Sequence, residues 1–427
     1  MTVSTTRRRL LQGAGVLTFV AVGGAIWRAH DREVFVEPSG PAYDPWRLWN
    51  APDFAGTPLA LVAAGILASN PHNTQPWIFR VSEGQIDVLA DTARDLGTFD
   101  PYLREMHIGL GCAIENLVLA APANGYEASV EAAPGSLFDV ERGGMVQAAT
   151  IRLSQGGGER DPLYAAIPHR HTNRYAYDRQ RGFPEDLLRR IATMPAENGV
   201  AVSVFTEGEA FEALGQTIIE ATDAIVADDE MIEDSHRWFR DGPREMARER
   251  SGLALDTAGL SPALLAAAKF LPALPAKQSH GAWAGQTRDT HIPTAALLGL
   301  ISLRDRYDRP QTLAAGRIWQ RIHLEASAAG IAMHPLNQPV EMADRDRQLE
   351  RDAVWEARLG AIIGDPAWQP TFAFRGGYPA REAIASARRS VMPSAPPQHL
   401  RRAAEASRRK RTGSGKQSPC PRLRRSA

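Results

Sequence analysis

Cysteine is almost missing from this chain: two residues, Cys112 and Cys420, in 427. One falls in an apolar helical stretch and the other in a basic tail, so no disulfide framework holds the fold. Acidic residues are missing from the first thirty positions, where the first is Asp31. No Gly-x-Ser-x-Gly elbow occurs, which argues against an α/β-hydrolase nucleophile. No Gly-x-Gly-x-x-Gly turn occurs either, so a tightly held dinucleotide on a Rossmann unit is not expected. Net charge is zero by formal count, yet that balance hides a dipole along the chain. From Arg401 onward there are ten Lys or Arg against the single Glu405, about +9, which leaves the remainder near −9.

What is present begins with Thr6-Arg7-Arg8-Arg9-Leu10-Leu11 ahead of a Gly-rich apolar run, Gly13 to Ile26. A charged head followed by a short apolar stretch is the layout of an export signal, and the paired arginines resemble a twin-arginine signal. As a helix the run would reach only about 21 Å against a hydrocarbon core of roughly 30 Å, which favours a signal (residues 1–30) over a stable span. No clean small-x-small cleavage site precedes Trp27, so an uncleaved membrane anchor through the N-terminus stays open. These readings place the protein in the periplasm or cell envelope, with the twin-arginine export machinery as a partner. The tail, residues 393–427, lacks the apolar residues that would offset the entropy of ordering it and is expected to be disordered. A solvated appendage is preferred there, and no nucleic-acid partner is expected.

Between the ends, 44% apolar residues is ordinary for a chain with a real core. Thr57-Pro58 starts a helix running to Ser69, and Trp77–Val81 and Ile86–Leu89 form a hairpin about Glu83-Gly84. Leu103–Ala121 carries an apolar helical face, and strands follow near 128–131 and 146–153. Gly156-Gly157-Gly158 marks a linker. Beyond it come helices at 184–192, 211–227, 231–239, 293–305, 311–329 and 344–363, with strands at 200–205 and 371–374. Residues 241–292 break the pattern with repeated prolines and read as an insertion carrying one amphipathic helix, either a surface excursion or an active-site lid.

The connection Ser69-Asn70-Pro71-His72-Asn73-Thr74-Gln75-Pro76-Trp77 holds more hydrogen-bonding capacity than a chain reversal needs. Asn73-Thr74-Gln75-Pro76-Trp77 followed by a strand resembles the signature loop of the flavin-dependent nitroreductases, and Arg170-His171-Thr172-Asn173-Arg174-Tyr175 is similar to that family's basic FMN-holding segment. The blocks from Ala329 to Glu341 and from Phe374 to Pro379 extend the likeness over about residues 57 to 390. The basic segment follows the signature loop, the reverse of an ordinary subunit, which looks like the Acg-like branch, where two halves fused in one chain imitate the usual homodimer.

That resemblance implies an α+β nitroreductase-like fold of two fused halves, residues 45–158 and 159–392, each with a mixed or antiparallel sheet flanked by helices, the 371–374 strand joining the sheet of the first half. A further homo-oligomer is not required. It implies FMN as cofactor and a small nitro, quinone-like or other electrophilic substrate, with NAD(P)H a transient visitor. Arg170 and Thr172 match positions that meet the ribityl phosphate, and Arg174 the position beside N1 and the C2 oxygen. Asn73 matches a position that contacts the flavin from the opposite half, and Gln75 is expected to buttress its loop. Pro335, Leu336 and Asn337 fall where a loop covers the ring, and Arg388-Arg389 resemble a basic pair at the phosphate. No side chain stands out as a catalytic acid, base or nucleophile, which agrees with a flavin carrying the hydride. His72 either lines the pocket or satisfies the turn. His169-x-His171 with His72 or His334 lacks a carboxylate or Cys at ligand spacing, which disfavours a metal. The rival class is a flavoprotein that stores or sequesters FMN under a closed lid.

Overall fold

The computed structural model describes residues 24–194 and 199–391; positions 1–23 of the segment read as an export signal (residues 1–30), the basic tail and Cys420 lie outside them. The described residues up to Arg389 form one compact unit. Among the described residues two all-antiparallel sheets account for the strands. The first has the order β1 (Trp77–Ser82), β2 (Gln85–Asp91), β4 (Met145–Gln155), β3 (Tyr126–Ala132). In the second, β9 (Gln369–Pro379) is the hub, pairing with β5 (Tyr177–Asp178), β7 (Leu297–Leu303) and β8 (Ala332–Pro335), while β6 (Val200–Phe205) pairs with β7. The fold is thus α+β, with two antiparallel sheets flanked by helices.

Two largely buried helices pack against each other. Arg104–Ala120 packs along Arg309–Ala328, and their approach is set by glycine. A Cβ on Gly111 would lie 2.1 Å from the Leu313 carbonyl oxygen, and one on Gly316 would lie 2.0 Å from that of Ile108. Cys112 donates its thiol to the Gly316 carbonyl in the same seam. Leu214, Ile218, Leu298, Leu300, Leu336 and Ala373 form an apolar core between β7, β9 and the helix Glu209–Ala227.

Several expectations need correction. The strand read at 371–374 belongs to the second sheet, where β7 is its longest partner. Residues 293–305 were expected helical, but Leu297–Leu303 is a central strand buried at every position. A short, uniformly apolar run lacks the alternation that separates strand from helix. The helix expected at 344–363 is two, Gln338–Gln348 and Val354–Ile363, parted by Glu350 at φ +52°. The insertion carries three α-helices, Pro243–Glu249, Pro262–Phe270 and Ala276–Gln286, where one was expected.

Candidate functional site

The signature loop is held in a conformation that few sequences tolerate. His72, Asn73 and Gln75 all have φ between +45° and +54°, the left-handed region. Side-chain bonds offset that strain. Asn70 Oδ1 accepts from the Gln75 amide at 2.8 Å, and Asn73 Nδ2 donates to the Gly252 and Ala387 carbonyls at 3.1 and 3.0 Å. Gln75 Nε2 donates to the Arg250 carbonyl at 2.7 Å while its Oε1 accepts from the Arg389 amide at 2.8 Å. Gln75 therefore buttresses the loop against both the insertion and the C-terminal segment.

Arg388 closes this corner. It is buried, donates to Asn73 Oδ1 at 2.6 Å and to the Ala68 carbonyl at 3.1 Å, and lies 4.8 Å over the Trp46 ring. Arg170, also buried, donates to the Leu67 carbonyl at 3.0 Å, and its other terminal nitrogen faces His323 Nδ1 at 3.5 Å. Consecutive carbonyls at the end of one turn thus hold two guanidiniums. Trp46 also packs edge-on against His171 at 4.4 Å.

A second cluster lies around Arg375, in the middle of β9. Its guanidinium donates to His334 Nδ1 at 3.1 Å and to the His291 and Tyr175 carbonyls at 3.0 and 2.8 Å, and lies 4.0 Å over the Tyr177 ring. Arg174 donates to the Thr257 carbonyl at 3.0 Å and is near enough to Arg375, His291, His334 and His72 to depress their pKa values or be depressed by them.

The electrostatics of these four arginines have one cause in common. Burial is the first cause lowering each one, to about 10 for Arg170 and Arg174 and well below the ordinary value for Arg388, where Arg170 adds to it. Arg375 is lowered by burial as well. Among the described residues none of the four has a carboxylate partner; carbonyls and neutral imidazoles hold them instead. Buried Arg104 is the contrast: Asp344 at 2.7 Å and its other acidic neighbours outweigh burial and raise its pKa. A buried charge without a counter-ion costs several kcal/mol. Nε of Arg170, Arg388 and Arg389 also lacks any hydrogen-bond partner, and buried orphan donors call for one. Four cations without a carboxylate partner, with spare donors beside them, are the chemistry of a site for an anion with several oxygens.

The structure therefore brings Asn73, Gln75, Arg388 and Arg389 together through direct bonds, with Arg170 joined to Arg388 by adjoining carbonyls and Arg174 linked to the second cluster. Thr172 is half-buried and bridges Met333, which sets the basic segment beside β8. Leu336 is in the core, and Asn337 accepts from the Ala373 amide at 2.8 Å. Neither they nor the half-buried Pro335 bonds to the arginines. Arg375, His323 and Trp46 were not singled out from sequence, and His334 was weighed there only as a metal ligand. Arg375 and His334 sit inside blocks that carried the family likeness, whereas nothing local marks Trp46. A cleft of about 100 Å³ lined by Arg32, Tyr43, Met246 and Lys269 includes none of the candidate residues.

Over 330 residues the chain is 26% identical to two Mycobacterium tuberculosis proteins, of strains CDC 1551 and H37Rv, each carrying the name "Putative NAD(P)H nitroreductase". The alignments cover 76% of this chain and 83% of each relative. The chain resembles nitroreductases. No family model matches it. Among solved structures, a Bacteroides fragilis nitroreductase with bound FMN is 16% identical, covering 56% of this chain and 97% of its own with a TM-score of 0.31. An FMN- and NADPH-dependent nitroreductase from a Sphigopyxis strain gives 16%, 55%, 96% and 0.35. At such scores these superpositions carry no argument for the nitroreductase-like reading, which draws on the longer alignments and on the site.

Proposed function

We propose that this chain is an FMN-binding oxidoreductase of nitroreductase type, a single-chain pseudo-dimer whose flavin site forms where the signature loop of the first half meets the basic segment of the second. One observation carries the reading: buried arginines without carboxylates, with orphan Nε donors, beside the Asn73 loop. A phosphate monoester carries nearly two negative charges and accepts through three oxygens, which fits that donor set. Arg170, Arg388 and Arg389 would hold the phosphate, with Thr172 beside them, and Arg174 and Asn73 would face the ring; the 335–337 loop is its candidate cover. Bound FMN would supply hydride transfer, and a fixed positive charge at Arg174 favours its reduced form. The protein's own contribution is to bind, orient and exclude water. NAD(P)H would be the transient donor, and small nitro or quinone-like electrophiles the substrates. The N-terminal segment fits export by the twin-arginine route to the periplasm or cell envelope, with anchoring as the alternative.

A second reading, FMN storage without turnover, is favoured by the insertion. The Gly252 carbonyl accepts from Asn73 and the Thr257 carbonyl accepts from Arg174, so the segment lies bonded over the residues proposed to meet the ring. The visible spectrum of the purified full chain tests both readings. Flavin bands, with FMN released on denaturation, are expected, and bleaching by NAD(P)H separates enzyme from store. A colourless chain that also fails to bind added FMN overturns both.

A further inference from the structure

The protonation of three side chains follows from what each partner is able to do. His280, in the helix Ala276–Gln286, places Nδ1 2.9 Å from the Ala276 carbonyl oxygen. A carbonyl only accepts, so Nδ1 carries the hydrogen. Burial, with His236 beside it, lowers this imidazole and keeps it neutral, which leaves Nε2 bare. That Nε2 lies 3.0 Å from Ser235 Oγ, so the hydroxyl donates its single proton there. Ser235 Oγ also lies 2.8 Å from His72 Nε2. With its proton committed to His280, the serine accepts from His72, and His72 carries its hydrogen on Nε2. Burial, then His280 and Arg174, push His72 down to about 3, so its Nδ1 is a bare acceptor at neutral pH.

The rings are fixed as well as the protons. Phe239 stacks on His280 at 5.3 Å and 13°, and Phe99 meets His72 edge-on at 5.2 Å. The Ser235 helix is anchored to the first half, where Asp234 accepts from the Thr98 amide at 2.7 Å. The hydrogen bond of the half-buried His72 ring runs from Nε2, and no described protein group is bonded to its Nδ1. The neighbouring candidate residues offer the opposite polarity: Arg174, Arg375 and Arg388 can only donate. Asn73 Oδ1, Gln75 Oε1 and His334 Nδ1 already accept from arginines there, whereas the fixed acceptor of His72 is not so engaged.

We propose that Ser235 is a positioning residue that locks His72 as an acceptor, so that the pocket prefers ligands presenting a neutral N–H or O–H over isosteres that lack one. This rests on the proposed function in taking the surroundings of Asn73 and Arg174 as the ligand site. Loss of one hydrogen bond to a half-buried acceptor changes affinity by up to about tenfold.

The test uses the ¹⁵N-labelled full chain and two neutral pyridines, nicotinamide and 3-acetylpyridine, which differ by an amide NH2 against a methyl. Long-range ¹H–¹⁵N spectra should show His72 protonated on Nε2, and nicotinamide should bind roughly tenfold tighter than 3-acetylpyridine. Ser235→Thr keeps the hydroxyl and should keep both results. Ser235→Ala should mix the tautomers and reduce the preference to less than about twofold. A wild-type His72 protonated on Nδ1, failure of both pyridines to bind, equal affinities, or a preference that survives Ser235→Ala each overturns the proposal. Flavin absorbance in the same samples reports separately on the proposed function.

Discussion

Arg170 and Arg388 invite different substitutions, because they are held differently. Arg170 bonds only a carbonyl and a neutral imidazole, so Arg170→Ala removes a cation without stranding another charge. It should lower FMN affinity about 100-fold, the value of one or two charge-assisted bonds, while the unfolding midpoint holds or rises. Fluorescence titration with FMN and thermal unfolding read the two effects, and undiminished affinity removes Arg170 from the phosphate site. Arg388 also fastens Asn73, whose backbone lies at φ +54°, so truncation would confound binding with loop collapse. Arg388→Lys keeps the charge and loses the fork. It should weaken FMN by roughly tenfold with the fold intact, since a point charge cannot serve Asn73, the Ala68 carbonyl and a phosphate together.

Among elements, the seam between Arg104–Ala120 and Arg309–Ala328 has no slack. Gly316→Ala puts a methyl 2.0 Å from a backbone oxygen, which a side-chain rotation cannot relieve, so the helices must part. A loss of roughly 3 kcal/mol is expected by urea unfolding. Gly281→Ala, in the helix Ala276–Gln286, has nothing within 4 Å of the added methyl and should stabilise by about 0.5–1 kcal/mol. Equal effects at the two positions would mean that the helices do not approach as described. This seam also shows how far the sequence could be read. The apolar face of the first helix and the extent of the second were legible from 3.6-residue spacing, as was the hairpin from alternation about Gly84. The close approach was not, because Gly111 and Gly316 matter only to each other, 205 positions apart. The strand at Leu297–Leu303 escaped for a related reason: a central strand covered on both faces has no polar side to reveal its period. At the site, the Asn73 and Arg170 blocks were legible as local motifs, whereas His323, Trp46 and Ser235 contribute through tertiary contacts alone.

Across the whole molecule, two sets of buried groups act in opposite directions on stability as pH changes. His72 and His171 are pushed down to about 3 and His107 to about 4, chiefly by burial, and His280, His291, His323 and His334 are lowered by the same first cause. An unfolded imidazole takes a proton near pH 6.5 that the folded one refuses. Their contribution is therefore present above pH 6.5 and lost as pH falls below it, by up to about 1.4 kcal/mol per histidine per pH unit. Burial raises Glu105 to about 7 and raises Glu341, whose carboxyl it faces, and burial raises Asp100 as well. These retain protons in the folded state, so they destabilise as pH climbs from the ordinary carboxylate range towards 7. Seven histidines against four carboxyls, Asp346 being raised by burial as well, leave a net rise in stability between about pH 5 and 6.5, flattening near neutrality. Urea midpoints measured at half-unit steps should follow that curve. In Glu341→Gln, where the paired carboxyls no longer share a site, the variant should gain on the wild type by on the order of 2 kcal/mol between pH 5 and 7.5. A wild-type midpoint that is flat or falls over pH 5 to 6.5 would mean that the histidines are not held neutral, and the cations among them would then have solvent or carboxylates for company.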